Sequence, residues 1–207
     1  MKKFRLPWMS RSDRRRWRSA ETLTDLGMLM ARWLEGDIAS WPGYAPNYGP
    51  DEETTEAGLV PVLAACNLAG YVTVASQPGI DPGPGYDGLI WAQRAAVEGF
   101  VTDYDLLRRL VDAADDADLE LVISDDLDAG QDGITVTTWD GKPYTSFGGY
   151  LDYPNLRVIW PGIGGGAFYD VCRALRVTLA AREYGADAGQ HLWEVLDAVT
   201  GRIPAPS

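Results

Sequence analysis

Histidine occurs once in these 207 residues and cysteine twice. No run of about 18 apolar residues occurs anywhere, which is what a membrane-spanning helix needs. Each scarcity removes a class of function. His191 stands at the predicted start of a helix with no motif around it, so a Ser-His-Asp or Cys-His arrangement has nothing to build on. Cys66 and Cys172 lie in apolar helical context without Cys-x-x-Cys spacing, which argues against zinc and for core thiols in a reducing cytosol. The N-terminus is basic but lacks the apolar run of a signal peptide, so a soluble cytoplasmic protein away from membranes is expected.

Phosphate loops are absent too. Pro161-Gly162-Ile163-Gly164-Gly165-Gly166 has no Gly-Lys-Ser/Thr and does not follow the dinucleotide glycine spacing, so it reads as a tight turn into a helix. The Asp-rich stretch 125–132 does not meet the EF-hand pattern and reads as a solvated turn. No metal or cofactor is expected.

What the chain does have is acid. Its formal net charge is −12, with 30 Asp and Glu against 18 Lys and Arg. Nine of those 18 cations but only 4 of the 30 acids fall in residues 1–35, leaving that segment at +5 and the remainder at −17. An acidic body argues against nucleic acid as a partner, because that affinity comes from clustered Lys and Arg. Residues 1–18 read as a basic arm, and Arg14-Arg15-Arg16-Trp17-Arg18 as a solvated helix face or a packing element. Residues 19–203 read as a single domain, with the length and 46% hydrophobic content to build one good-sized core.

Helical and strand patterns alternate along that domain. Leu23, Leu26, Met30, Trp33 and Leu34 give a core-facing helix over 22–34 that Gly36 ends. The stretch 41–50 is rich in Pro, Gly and aromatic residues and predicts an ordered surface loop, and Asp51-Glu52-Glu53-Thr54-Thr55 starts a helix with acids at the positive end of the dipole. A helix over 59–67, capped by Gly70, leads into a strand at 71–74 and then the polar turn Ser76-Gln77-Pro78-Gly79. Helices are predicted over 89–100, from Asp103 to about 114, over 167–184 and over 190–199; strands over 119–124, 134–139 and 156–160. The class is α/β, a central sheet covered by helices.

A polar turn at the C-terminal end of a strand is where α/β sheets leave room for ligands. The segment Asn67-x-x-Gly70-Tyr71-Val72-Thr73-x-x-Ser76-Gln77-Pro78 resembles one in the C-terminal regulatory domain of eukaryotic-type methylenetetrahydrofolate reductase. Gln93-Arg94-Ala95-x-x-Glu98-x-Phe100 resembles a helix of the same domain, Leu192-Trp193-Glu194-Val195-Leu196 its last helix, and Pro7-Trp8-Met9-Ser10-Arg11 the linker that precedes it. The chain is also similar to an uncharacterised actinobacterial family of small proteins. The resemblance implies a non-catalytic sensor that binds S-adenosylmethionine or S-adenosylhomocysteine. It implies Thr73 and Ser76 as hydroxyl ligands, Gln77 shaping the same turn, Glu53 and Thr54 reaching the ligand from their helix start, Trp8 as an aromatic lid and Thr138 as a further ligand. The flavin-binding barrel that the reductase domain controls is absent from these residues, so a stand-alone sensor implies a protein partner or sequestration of the ligand. Two alternatives stay open: an enzyme acting on an adenosyl or nucleotide ligand in the same pocket, and a protein-interaction module with a vestigial pocket.

Overall fold

Alternation in chain order becomes two antiparallel sheets in a single α/β domain, seen in a computed structural model that describes residues 9–44, 49–124 and 133–201. The helices are α1 (Arg11–Arg18), α2 (Leu23–Leu34), α3 (Glu52–Glu56), α4 (Val60–Ala69), α5 (Tyr104–Asp116), α6 (Tyr153–Ile159), α7 (Gly165–Arg173) and α8 (Ala186–Thr200). One sheet has the order β1-β4-β8-β5, from β1 (Val72–Gln77), β4 (Ala96–Val101), β8 (Leu175–Ala180) and β5 (Glu120–Ser124). The other has the order β2-β3-β6-β7, from β2 (Ile80–Pro84), β3 (Ile90–Gln93), β6 (Ile134–Trp139) and β7 (Lys142–Phe147). Strands β4 and β5 both run antiparallel to β8, so α5 carries the chain over between two parallel strands.

Local chemistry explains most boundaries. Thr22 and Asp25 form a capping box at the start of α2, and Leu23, Leu26, Met30, Trp33 and Leu34 are buried along it. Asp103 caps α5 through the N–H groups of Asp105 and Leu106, and Leu106, Leu110 and Ala114 form its buried stripe. Gly70 ends α4 at φ 101°, a left-handed cap that favours glycine.

Several segments depart from the sequence reading, whose strands do not include β2 or β7. The helix expected over 89–100 is β3 and β4, with every residue of β4 buried. Side chains on both faces of a central strand are apolar or paired, which hides the period-2 signal. The strand expected at 156–160 is α6, begun by an Asp152 cap with Pro154 in its first turn. The helix expected over 167–184 stops at Arg173, and Leu175–Ala180 becomes β8, held between β4 and β5. The Asp-rich stretch 125–132 lies outside the described residues.

The core is aromatic at one end. Trp160 touches the rings of Trp17, Trp41 and Phe100 at centroid distances of 6.5, 5.6 and 6.5 Å, and Trp41 meets Trp33 edge-on at 5.4 Å. Trp17 is fully buried and its indole N–H donates to the Ser40 carbonyl at 2.9 Å. That side chain docks α1 on the body. A smaller cluster of Ala96, Ala180, Ile134 and Val136, with Val122 and Phe147, joins the two sheets.

Tyr71 crosses the first sheet at Gly99, whose missing side chain leaves the ring room: a Cβ there would lie 2.7 Å from the ring and 2.6 Å from the Val72 carbonyl. The Tyr71 hydroxyl donates to the carbonyls of Val97 and Val177. Burial pushes its pKa well above the usual tyrosine value, and burial likewise pushes the Cys66 thiol up to about 12. Both groups hold their protons in the folded state after the unfolded chain has released them. Their stabilising contribution is complete below the ordinary thiol pKa of 9.0 and is lost as pH rises from there towards 12. Melting temperature is therefore expected to fall between pH 8.5 and 11, less steeply in a Cys66→Ala/Tyr71→Phe double variant. An equal slope in the two proteins would assign the alkaline loss to other groups.

Candidate functional site

The strand β1 carries an irregularity that decides which of its side chains share a face. Thr73 pairs with Gly99 and Ala75 with Glu98, so Val74 is an extra residue against β4. Residues three apart in a regular strand point to opposite faces, and one bulged residue restores them to the same face. Thr73 and Ser76 thereby line one cavity. A turn at Ser76-Gln77-Pro78 is not what brings them together, because β1 runs on to Gln77 opposite Ala96.

That cavity measures about 180 Å³ and lies between α2, α3 and β1. Met30, Trp33 and Leu34 come from α2, Trp41 from the loop after it, Asp51 and Thr54 from the start of α3, and Leu63 from α4. Thr54 and Thr73 are each 4% exposed. The hydroxyls of Thr54 and Ser76 make no hydrogen bond to another described residue, and the Thr73 hydroxyl accepts from Asn67 Nδ2 at 2.7 Å while its own proton stays available. Asn67 also accepts from the Thr73 backbone N–H at 3.1 Å and donates to the Leu63 carbonyl at 2.8 Å. Through those three bonds α4 sets the position of Thr73.

Among the described lining residues Asp51 is the one ionisable group. Its carboxylate caps α3 by accepting from the Thr54 N–H at 2.8 Å and leaves the rim of the cavity acidic. With no lysine, arginine or histidine among the described lining residues, these side chains suit a neutral or cationic group better than an anionic phosphate.

Other residues singled out in the sequence lie elsewhere. Gln77 donates from Nε2 to the carbonyls of Arg94 and Val136 at 2.9 and 3.2 Å, so its carboxamide straps β1 to the second sheet. Glu53 is exposed, 3.4 Å from Gln93 Nε2, and does not line the cavity. Thr138 sits on β6 opposite Ala92 and Pro143, in the second sheet. Trp8 lies outside the described residues. His191 is exposed on α8. Among the described residues no group of three His, Cys, Asp or Glu side chains could hold a metal ion. No helix among them is long and apolar enough to cross a membrane.

A second cleft of about 230 Å³ lies between α5 and α7, but its charged groups are engaged. Asp103 caps α5, Asp170 accepts from the Leu23 N–H at 3.1 Å, and Arg173 donates to Tyr169. Its hydroxyl residues, Thr102 and Tyr104, are exposed, whereas the smaller cavity sets the buried Thr54 and Thr73 beside Trp33 and Trp41.

Sequence reasoning missed its wall. Trp33 reads as a core residue of a helix and Trp41 as part of an aromatic loop, and no motif joins them across the intervening residues.

The chain belongs to the family described as a domain of unknown function, DUF6919. That family's pattern matches residues 12–199, from the first turn of α1 to the last turn of α8. No curated protein matches the chain. The DUF6919 domain thus takes in every helix and strand described above, cavity included.

Proposed function

We propose that the cavity between α2, α3 and β1 binds S-adenosylmethionine or S-adenosylhomocysteine without turning it over. The observation that carries this reading is the convergence of Thr54, Thr73 and Ser76, from two separate segments, on one cavity walled by Trp33 and Trp41. All three were implied as ligands by the resemblance to the reductase regulatory domain. Hydroxyls match the ribose and amino-acid ends of the ligand, indole rings suit its purine, and the Asp51 carboxylate favours a sulfonium or ammonium charge. A cavity of about 180 Å³ is smaller than the roughly 300–1,000 Å³ of pockets that enclose a drug-sized ligand. It takes one end of the molecule and leaves the other at the mouth.

Binding is favoured over catalysis because the described lining residues offer one carboxylate, engaged as a helix cap, and no histidine, lysine or cysteine to pair with it. A sensor of this kind acts by presenting its loaded surface to a protein partner or by holding the ligand out of circulation.

Ligand at 100 times its dissociation constant stabilises a native state by about 2.7 kcal/mol, a rise of roughly 5–10 °C in melting temperature for a domain of this size. Mass spectrometry of the same mixture is expected to recover the ligand unchanged. Ser76→Ala and Thr54→Val are expected to weaken binding about threefold to several tenfold with apo stability unchanged, since neither hydroxyl bonds another described residue. Thr73→Val also removes the acceptor of Asn67 and is expected to lower both affinity and apo stability. No shift at millimolar ligand would sink the reading, and a new product in the mass spectrum would turn it into an enzyme.

A further inference from the structure

Four arginines stand in a row on the outer face of α1. Arg11, Arg14, Arg15 and Arg18 follow the i, i+3, i+4, i+7 spacing of one helix face, while Asp13 and Trp17 on the other side are buried. All four are exposed, and among the described residues none has an ion-pair partner. Arg16 alone is paired, with Asp13 at 3.0 Å. The buried Trp17 fixes the helix to the body, so the row is held in place over about 10 Å of helix axis. An unpaired cationic row is conspicuous on a chain of net charge −12.

Its complement lies on α5. Asp112, Asp115 and Asp116 are exposed at i, i+3, i+4 spacing in the second half of that helix, whose last turn contains no basic residue. Carboxylates there meet the negative end of the helix dipole, an arrangement that favours an external cation. None of the three has an ion-pair partner among the described residues, whereas their neighbours do: Asp118 pairs with Arg182 at 2.8 Å and Asp105 with Arg108 at 3.1 Å. Among the described residues Arg109 is the one cation of α5 without an ion-pair partner, which leaves that face in excess of negative charge. No ion pair joins α1 to α5 within one chain.

We propose that the arginine row of α1 is an interaction surface for a second copy of this chain, docking on the Asp112–Asp115–Asp116 face of its α5. Guanidinium forks and carboxylates at matching one-turn spacing suit charge-assisted, bidentate pairs. The alternatives fit less well. A nucleic-acid backbone would meet the acidic remainder of the chain, residues 36–207 carrying a net charge of −17. A bilayer needs apolar side chains to enter it, and the outer face of α1 has only arginine and serine. The net negative charge of the copies repels at long range but is screened beyond about 8 Å at physiological salt, which leaves contact pairs the stronger effect.

Sedimentation of the full chain tests this with two charge-reversed variants. At about 150 mM salt the average mass is expected to rise with concentration towards at least twice 22.6 kDa, and at about 1 M salt, where screening reaches about 3 Å, to return to the single chain. Arg14→Glu/Arg15→Glu and Asp112→Arg/Asp116→Arg are each expected to stay monomeric with an unchanged circular dichroism spectrum. An equimolar mixture of the two is expected to associate again, because the intact α1 of the second variant meets the intact α5 of the first, and the two reversed faces also match. A monomeric wild type, association that persists in either variant alone, or a monomer whose arginine row instead captures duplex DNA or an acidic peptide would each overturn the proposal.

Discussion

Trp160→Ala is expected to lower the melting temperature by about 10 °C and to abolish the proposed ligand binding at the same time. Trp160 is fully buried and touches three aromatic rings of the core, Trp17, Trp41 and Phe100. Truncating such a side chain removes its burial and leaves a cavity that the surrounding rings only partly close, a loss of about 3–5 kcal/mol. Native domains hold only about 5–15 kcal/mol in total, so this is a large share. Binding suffers because Trp41 rests on Trp160 and also walls the candidate site. The indole N–H of Trp160 has no acceptor among the described residues, so Trp160→Phe leaves no polar partner stranded and is expected to keep most of the stability. Thermal denaturation followed by circular dichroism reads both. A loss of less than about 1 kcal/mol for the alanine variant would show that the aromatic end of the core repacks freely.

Asn67→Ala is expected to cost about 2–4 kcal/mol of stability and at least tenfold in affinity for the proposed adenosyl ligand. Asn67 is 1% exposed and its side chain makes three hydrogen bonds, two of them to Thr73. Alanine leaves the Thr73 backbone N–H buried without a partner, which costs more than the bond itself was worth. It also frees the Thr73 side chain to turn from the cavity. Because Asn67 does not line the cavity, a fall in affinity beyond that caused by Thr73→Val would identify it as a positioning residue. Unchanged binding, with stability lost, would confine Asn67 to the joint between α4 and β1.

Asn67 shows how much was legible in the chain. Its place at the end of a helix, the Gly70 cap and the strand after it follow from local preference and appear in the structure as read. The resemblance that joins Asn67, Thr73 and Ser76 names three residues that the structure does bring into contact or into one cavity. Gln77 belongs to the same segment yet serves the joint between sheets, because whether a carboxamide faces a ligand or a neighbouring carbonyl depends on what lies across from it. Glu53 and Thr54 are adjacent, and the turn of α3 buries Thr54 against the cavity while exposing Glu53.

Local signals determined the class of the fold, the caps of α2, α4 and α5, the stripe Leu106–Leu110–Ala114 and the segregation of positive charge to the N-terminal helix. Each of these is set by residues within a few positions of one another, so each can be read in order. Tertiary structure decided the rest. It turned 89–101 and 175–180 into strands, since a segment buried on both faces gains more from pairing with neighbours than its own helical preference is worth. It placed the bulge at Val74, which puts Thr73 and Ser76 on one face. It brought Trp33 and Trp41 to the same wall as Thr54. A site assembled from four elements is a property of their packing, and packing is settled by side chains that lie far apart along the chain.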